Sequence, residues 1–112
     1  MIEFTENEER VYQMWRAGES YADIAAALGI TRASAYDIMR RRDRKNRLNE
    51  RLDFIPAKIT VRTAHALIRA GVKSREWMER IGRDGLIGIK DIGVGTAEEI
   101  WRSVFGDDDT RP

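Results

Sequence analysis

Apolar residues recur at helical spacing along most of the chain. Val11, Met14 and Trp15 follow a three-to-four-residue rhythm, which predicts the inward face of an α-helix. Thr5 opens that helix and Glu8 stands three residues on. This is the pattern of a capping box, in which hydroxyl and carboxylate each take a backbone N–H at the helix start. Gly18 supplies the left-handed residue that ends it. Ser20, with Asp23 as its partner, opens a short second helix from Tyr21 to Leu28, with Ile24, Ala25 and Leu28 on one face. Gly29 and Ile30 break the pattern. Thr31 then caps a third helix from Arg32, with Ala35, Ile38 and Met39 inward. No strong breaker follows until Pro56, so this helix extends to about Leu52, and Pro56 disfavours helix at Ile55.

The second half repeats the logic. Thr60 caps a helix from Val61 to Ala70, with Val61, Ala64, Leu67 and Ile68 inward and Gly71 as its stop. Ser74 caps another, from Arg75 to about Ile81, with Trp77, Met78 and Ile81 apolar. Gly82, Gly85, Gly88, Gly93 and Gly95 follow, interleaved with Leu86, Ile87, Ile89 and Ile92. That stretch is too apolar for a linker and predicts tight turns around a short helix. The last helix starts near Thr96 and runs to about Phe105, with Ala97, Ile100, Trp101 and Val104 inward. The expected fold class is all-α, in two small helical domains. Residues 1–52 form the first, 53–58 a linker, 59–106 the second and 107–112 a flexible tail. Leu48 and Leu52, four residues apart, either seal the two domains together or form a small homodimer seam. Trp15, Trp77 and Trp101 share helical spacing with other apolar residues and are expected in the cores.

Composition narrows the chemistry. The chain has 112 residues, so each domain holds roughly 50. Domains that small bury only about 60% of their unfolded surface, which leaves little room for an enclosed enzyme cavity. There is no Cys and a single His, His65. Disulfides and thiolate zinc sites are excluded, and a His-based metal cluster or a Ser/His/Asp triad is not expected. The carboxylate pairs Glu8/Glu9 and Glu98/Glu99 sit at helix starts, where the helix dipole accounts for them. Neither an enzyme nor a bound cofactor or metal is expected. The longest apolar run, Ile24 to Leu28, is far short of the roughly 20 residues of a membrane span. The first residues lack the basic-then-apolar plan of a signal peptide. A soluble cytoplasmic protein is expected, with no membrane partner.

The near-zero net charge hides a pattern. Residues 1–31 carry two basic and six acidic groups, whereas residues 32–51 carry eight basic and three acidic. A basic block behind an acidic one is either a solvated arginine-rich helix or a nucleic-acid face.

Two short helices joined by a glycine turn describe a helix-turn-helix. The run Asp23-Ile24-Ala25-Ala26-Ala27-Leu28-Gly29-Ile30-Thr31 resembles the helix-turn-helix of sigma-factor region 4 and of many repressors. Ala25 falls where that family places a small residue and Gly29 where it places the turn glycine. Ile30, Ala35 and Ile38 fall at its core positions, Ala35 standing where Val or Ile is usual. The resemblance implies that the third helix enters a major groove with its N-terminal residues at base edges. On this chain Thr31, Arg32, Ser34 and Tyr36 would meet the bases, with Ala33 and Asp37 beside them. Arg40, Arg41, Arg44 and Lys45 would hold phosphates.

The run Ile92-Gly93-Val94-Gly95-Thr96-Ala97-Glu98-Glu99-Ile100 resembles a helix-hairpin-helix. In that motif two glycines turn the backbone sharply, and exposed N–H groups with the helix dipole hold a DNA phosphate. From Thr60 to Val104 the chain resembles the C-terminal domain of the bacterial RNA polymerase α subunit. Thr60-Val61-Arg62-Thr63-Ala64-His65-Ala66-Leu67 looks like the first helix of that domain. The resemblance implies binding to the minor groove of A·T-rich DNA, with the family's arginine at Arg62, its hairpin glycine at Gly93 and its hydroxyl at Thr96. His65 stands where the family has Asn, and Gly95 where it often has Lys. Glu99 matches a carboxylate that touches sigma factor or a neighbouring regulator.

Together these readings predict a bacterial or phage transcription regulator that binds double-stranded DNA. The N-terminal domain would read a major groove, and the C-terminal domain would dock DNA or RNA polymerase. Two weak sites on one chain gain avidity through effective concentration. The alternatives are a protein-interaction module that binds sigma factor or RNA polymerase through its C-terminal half, and a phage packaging or recombination accessory protein.

Overall fold

The computed structural model describes residues 1–106, and the expected tail, 107–112, lies outside them. The described residues form six α-helices and no strand: α1 Glu6–Arg16, α2 Tyr21–Leu28, α3 Arg32–Arg51, α4 Val61–Arg69, α5 Arg75–Ile87 and α6 Val94–Phe105. The fold class is all-α. None of these helices is long and apolar enough to cross a membrane.

The chain divides into two compact units. One is Phe4–Arg47; the other runs from Leu48 onward and takes in Met1–Glu3. The division thus falls near the end of α3. Residues 48–59 supply core, not linker: Leu52 is 2% exposed and Ile55 is fully buried. Leu48 and Leu52 pack inside the second unit's own apolar core with Ile55, Ile59 and Leu67. The physical reason is that α3 keeps its apolar spacing past the basic block, and Pro56 bends the chain without interrupting the buried Leu52/Ile55/Ile59 series.

In the N-terminal unit, Val11 of α1, Ile24 and Ala25 of α2, and Ala35, Ile38 and Met39 of α3 form one core. The capping box at α1 is complete. The Thr5 hydroxyl accepts from the Glu8 amide at 3.1 Å, and the Thr5 amide donates to Glu8 Oε1 at 2.8 Å. Gly29 ends α2 in the left-handed conformation, φ 69°, and donates its N–H to the Ala25 carbonyl. A β-carbon there would be strained, so glycine is the residue that lets α3 leave α2 so abruptly. Trp15 corrects one expectation. It is 46% exposed, because after Val11 it is Met14 that reaches the core, and Trp15 leans on Tyr12 with ring centroids 6.4 Å apart.

In the C-terminal unit, α4 brings Ala64, Ala66 and Leu67 to a core shared with Met78 and Leu86 of α5 and Ile100 of α6. Trp77 and Trp101 are half-buried against it. α5 is two helical pieces meeting at Gly82, whose φ of 73° and ψ of 172° no helix contains. The expected short helix therefore follows it, Arg83 to Ile87, before Gly88 caps the end. Asn49 ties the first residues to this unit. Its side chain accepts from the Ile2 N–H at 2.7 Å and donates to the Ile2 carbonyl at 3.0 Å, with Ile2 itself buried.

Candidate nucleic-acid interface

The local sequence of α3 divides its cations between two faces. One turn is 3.6 residues, so positions 32, 36, 40 and 44 form a stripe with 33, 37 and 41 beside it, opposite Ala35, Ile38 and Met39. Arg32, Ala33, Tyr36, Asp37, Arg40, Arg41 and Arg44 are all exposed. None of Arg32, Arg40, Arg41 and Arg44 enters an ion pair among the described residues.

Arg42 and Lys45 fall on the inward side of the same helix, and both are paired. Lys45 Nζ lies 2.7 Å from Glu8 Oε1, with the two side chains 16% and 3% exposed. Arg42 Nε lies 3.4 Å from Glu9 Oε1. The Arg42 guanidinium also covers the rings of Tyr12, at 3.4 Å from the centroid, and Phe4, at 4.6 Å. Cation–π contact of this kind holds a desolvated arginine in place. Burial pushes the Glu8 carboxyl up. The hydrogen bonds from Lys45 and Thr5 and the charge of Lys45 outweigh it, and the group lies below the usual carboxylate range.

Lys45, expected to hold a phosphate, lies half-buried beside Glu8, unlike the exposed arginines of that expected set. The acidic first turn of α1 draws it inward. Arg42, absent from that set, is the residue that sequence reasoning missed. The signal was present: position 42 is four residues from Ile38 and seven from Ala35, on the apolar stripe.

Thr31 and Ser34, expected to meet bases, are exposed and bond to each other. The Thr31 hydroxyl accepts from the Ser34 amide at 3.0 Å and donates to the Ser34 hydroxyl oxygen at 2.9 Å. Both hydroxyls are engaged in opening α3, as Ser and Thr are at helix starts. Tyr36 is 50% exposed and meets the Tyr21 ring edge-on, with centroids 5.5 Å apart and planes at 89°. Arg40 lies over Tyr36 at 5.9 Å. Burial, with Asp43 and Tyr36 adding to it, pushes the Tyr21 phenol up.

In the C-terminal unit, Arg62, His65 and Arg69 lie on one exposed side of α4. Arg62 reaches Asp91 Oδ1 at 3.8 Å and Arg69 reaches Asp91 Oδ2 at 3.2 Å. Asp91 stands two residues before Gly93, so these contacts bring α4 beside the turn that starts α6. Gly93 caps α6 in an extended conformation, φ −70° and ψ 156°, with no side-chain hydrogen bond at the cap. The helix begins at Val94, two residues before the expected start at Thr96, because the glycine backbone itself makes the turn. Gly93 and Gly95 are exposed, and so are Val94 and Glu99. Thus Arg62, Gly93, Gly95 and Thr96 occupy neighbouring elements of one unit. The described residues contain no group of three or more His, Asp or Glu side chains placed to hold a metal ion.

No protein-family model, no curated protein and no solved structure matches this chain. Its functional reading rests on the residues themselves.

Proposed function

We propose that this protein is a DNA-binding transcription regulator that lays the outward face of α3 in a major groove. The observation that carries this reading is the contrast between the two faces of α3. The inward cations Arg42 and Lys45 are paired with Glu9 and Glu8, while Arg32, Arg40, Arg41 and Arg44 stand exposed and in no ion pair among the described residues. A helix whose arginines served only to solubilise it would gain equally from carboxylates along the same stripe. Here only Asp37 interrupts the four arginines, with Asp43 at its border. Arginine forks suit both phosphates and guanine edges. Ala25 of α2 shares one apolar core with Ala35 and Ile38 of α3, and the left-handed Gly29 ends α2 before α3 begins, which supports the helix-turn-helix reading.

In this proposal the C-terminal unit docks DNA backbone or an A·T-rich minor groove through Arg62, His65, Gly93, Gly95 and Thr96. A second reading has that unit contact RNA polymerase or sigma factor, with Glu99 in the contact. The position of Asp91 favours it, since a carboxylate between Arg62 and Arg69 already answers the two cations that a groove would need.

The test is selection from a random double-stranded DNA pool, followed by affinity measurements over a range of salt. Each phosphate contact contributes about 0.9 to the slope of log affinity against log salt. Arg41→Ala or Arg44→Ala is expected to lower that slope by about one without changing the recovered motif. Arg62→Ala separates the two C-terminal readings, because unchanged DNA affinity supports the protein partner. Failure to enrich any sequence, and failure to shift DNA at low salt, would overturn the proposal.

A further inference from the structure

The first turn of α3 carries an apolar hollow lined by Tyr21, Arg32, Ala33 and Tyr36. An apolar depression is unexpected on the most basic helix of the chain. Its surroundings explain why it is not polar. The Thr31 hydroxyl accepts from the Ser34 amide and donates to the Ser34 hydroxyl oxygen, which occupies it at the helix start, and neither residue lines the hollow. Ala33 has only a methyl group to present. Tyr36 sits between Arg32 and Ala33 around the helix, and its edge-on contact with Tyr21 fixes the ring against the hollow's wall. Arg32 supplies the one charged head of the lining.

We infer that this hollow is a base-reading subsite for the 5-methyl group of thymine. The inference rests on the DNA-binding reading above and names what part of the DNA the first turn recognises. Three features point to that occupant. The hollow lies at the N-terminal turn of α3, the part of such a helix that meets base edges. The Arg32 guanidinium in the lining and the Arg40 guanidinium over Tyr36, neither in an ion pair among the described residues, give it positive charge, which complements a polyanion and not a free apolar ligand. The lining also offers a methyl and two aromatic rings, and thymine is the base whose major-groove edge carries a methyl group. Cytosine and the purines carry no methyl group there and would leave the hollow unfilled.

Replacing single thymines by deoxyuridine in the selected site tests this, because the exchange removes the methyl and leaves every hydrogen-bonding group. Affinities of the full chain are read by fluorescence anisotropy at fixed salt. At one thymine position the exchange is expected to weaken binding about fourfold, the step that one buried methyl supports. In Ala33→Gly and Tyr36→Ala, each shown to be helical by circular dichroism, that ratio is expected to fall to about one. Binding in which no thymine-to-uracil exchange matters would overturn the subsite while leaving the DNA-binding reading in place. So would a ratio that persists in both variants, since the methyl would then be read elsewhere. A chain that binds no DNA at low salt overturns both.

Discussion

Replacing Glu8 by Ala should destabilise the N-terminal unit out of proportion to its surface charge count. Glu8 is 3% exposed and its Oε1 serves two donors, the Lys45 ammonium at 2.7 Å and the Thr5 amide at 2.8 Å. Removing it leaves Lys45, whose side chain is 16% exposed, without its carboxylate, and also opens half of the capping box. Breaking a buried pair from one side costs about 3–5 kcal/mol. The partial exposure of Lys45 places this case at the lower end, about 3 kcal/mol. For a chain of this size that lowers the melting temperature on the order of 10 °C. Lys45→Met should cost a comparable amount, and Glu8→Ala with Lys45→Met less than the sum of the two single changes, since neither charge of the pair is then left behind. The pH dependence follows from the same carboxylate. Its folded value lies below the unfolded one, so its contribution is complete above the unfolded value of about 4.3 and disappears as pH falls through the folded value. Wild-type melting should therefore decline below about pH 5 more steeply than that of Glu8→Gln. Thermal and urea unfolding by circular dichroism measure all of this. A Glu8→Ala cost within about 0.5 kcal/mol, or strict additivity of the pair, would refute the reasoning.

Two further outcomes are expected. Arg42→Lys should cost about 1–2 kcal/mol by urea unfolding, because an ammonium cannot stack flat between Phe4 and Tyr12; equal stability would show that charge alone matters there. Gly82→Ala should destabilise the C-terminal unit by about 1–3 kcal/mol, since φ 73° with ψ 172° is a glycine conformation, and an unchanged melt would mean the backbone relaxes at no cost.

Much of the helical layout was legible because its signals are local. Thr5, Ser20, Thr60 and Ser74 each cap the helix expected of them, and the side-chain oxygen of each accepts an amide three residues on. Gly29 and Gly82 interrupt the helices where a left-handed residue is needed. Local signals fail where two outcomes share one spacing. Met14 and Trp15 both follow Val11 at an acceptable interval, and only the shape of the surrounding core admits Met14 and leaves Trp15 outside. The stretch 53–58 contains a proline and reads as a break, yet Ile55 is buried because Leu52 and Ile59 on either side pack with it.

The candidate interface shows the same limit more sharply. Composition and position marked α3 as basic, and its arginines at 32, 40, 41 and 44 are exposed as expected. Helical spacing put positions 42 and 45 on the apolar side, but sequence did not name the groups that neutralise the cations there. Their roles diverge through partners thirty or more residues away, Glu8, Glu9, Tyr12 and Phe4.

The sequence by itself thus determined where helices start and stop, since capping, left-handed glycine and apolar period act over a few residues. It also set the charge that α3 carries. The tertiary structure alone decided which cations are neutralised and which stay exposed, and where one compact unit gives way to the next. Those outcomes depend on burial and on ion pairs between distant residues, and desolvation makes such pairing a property of the packed chain.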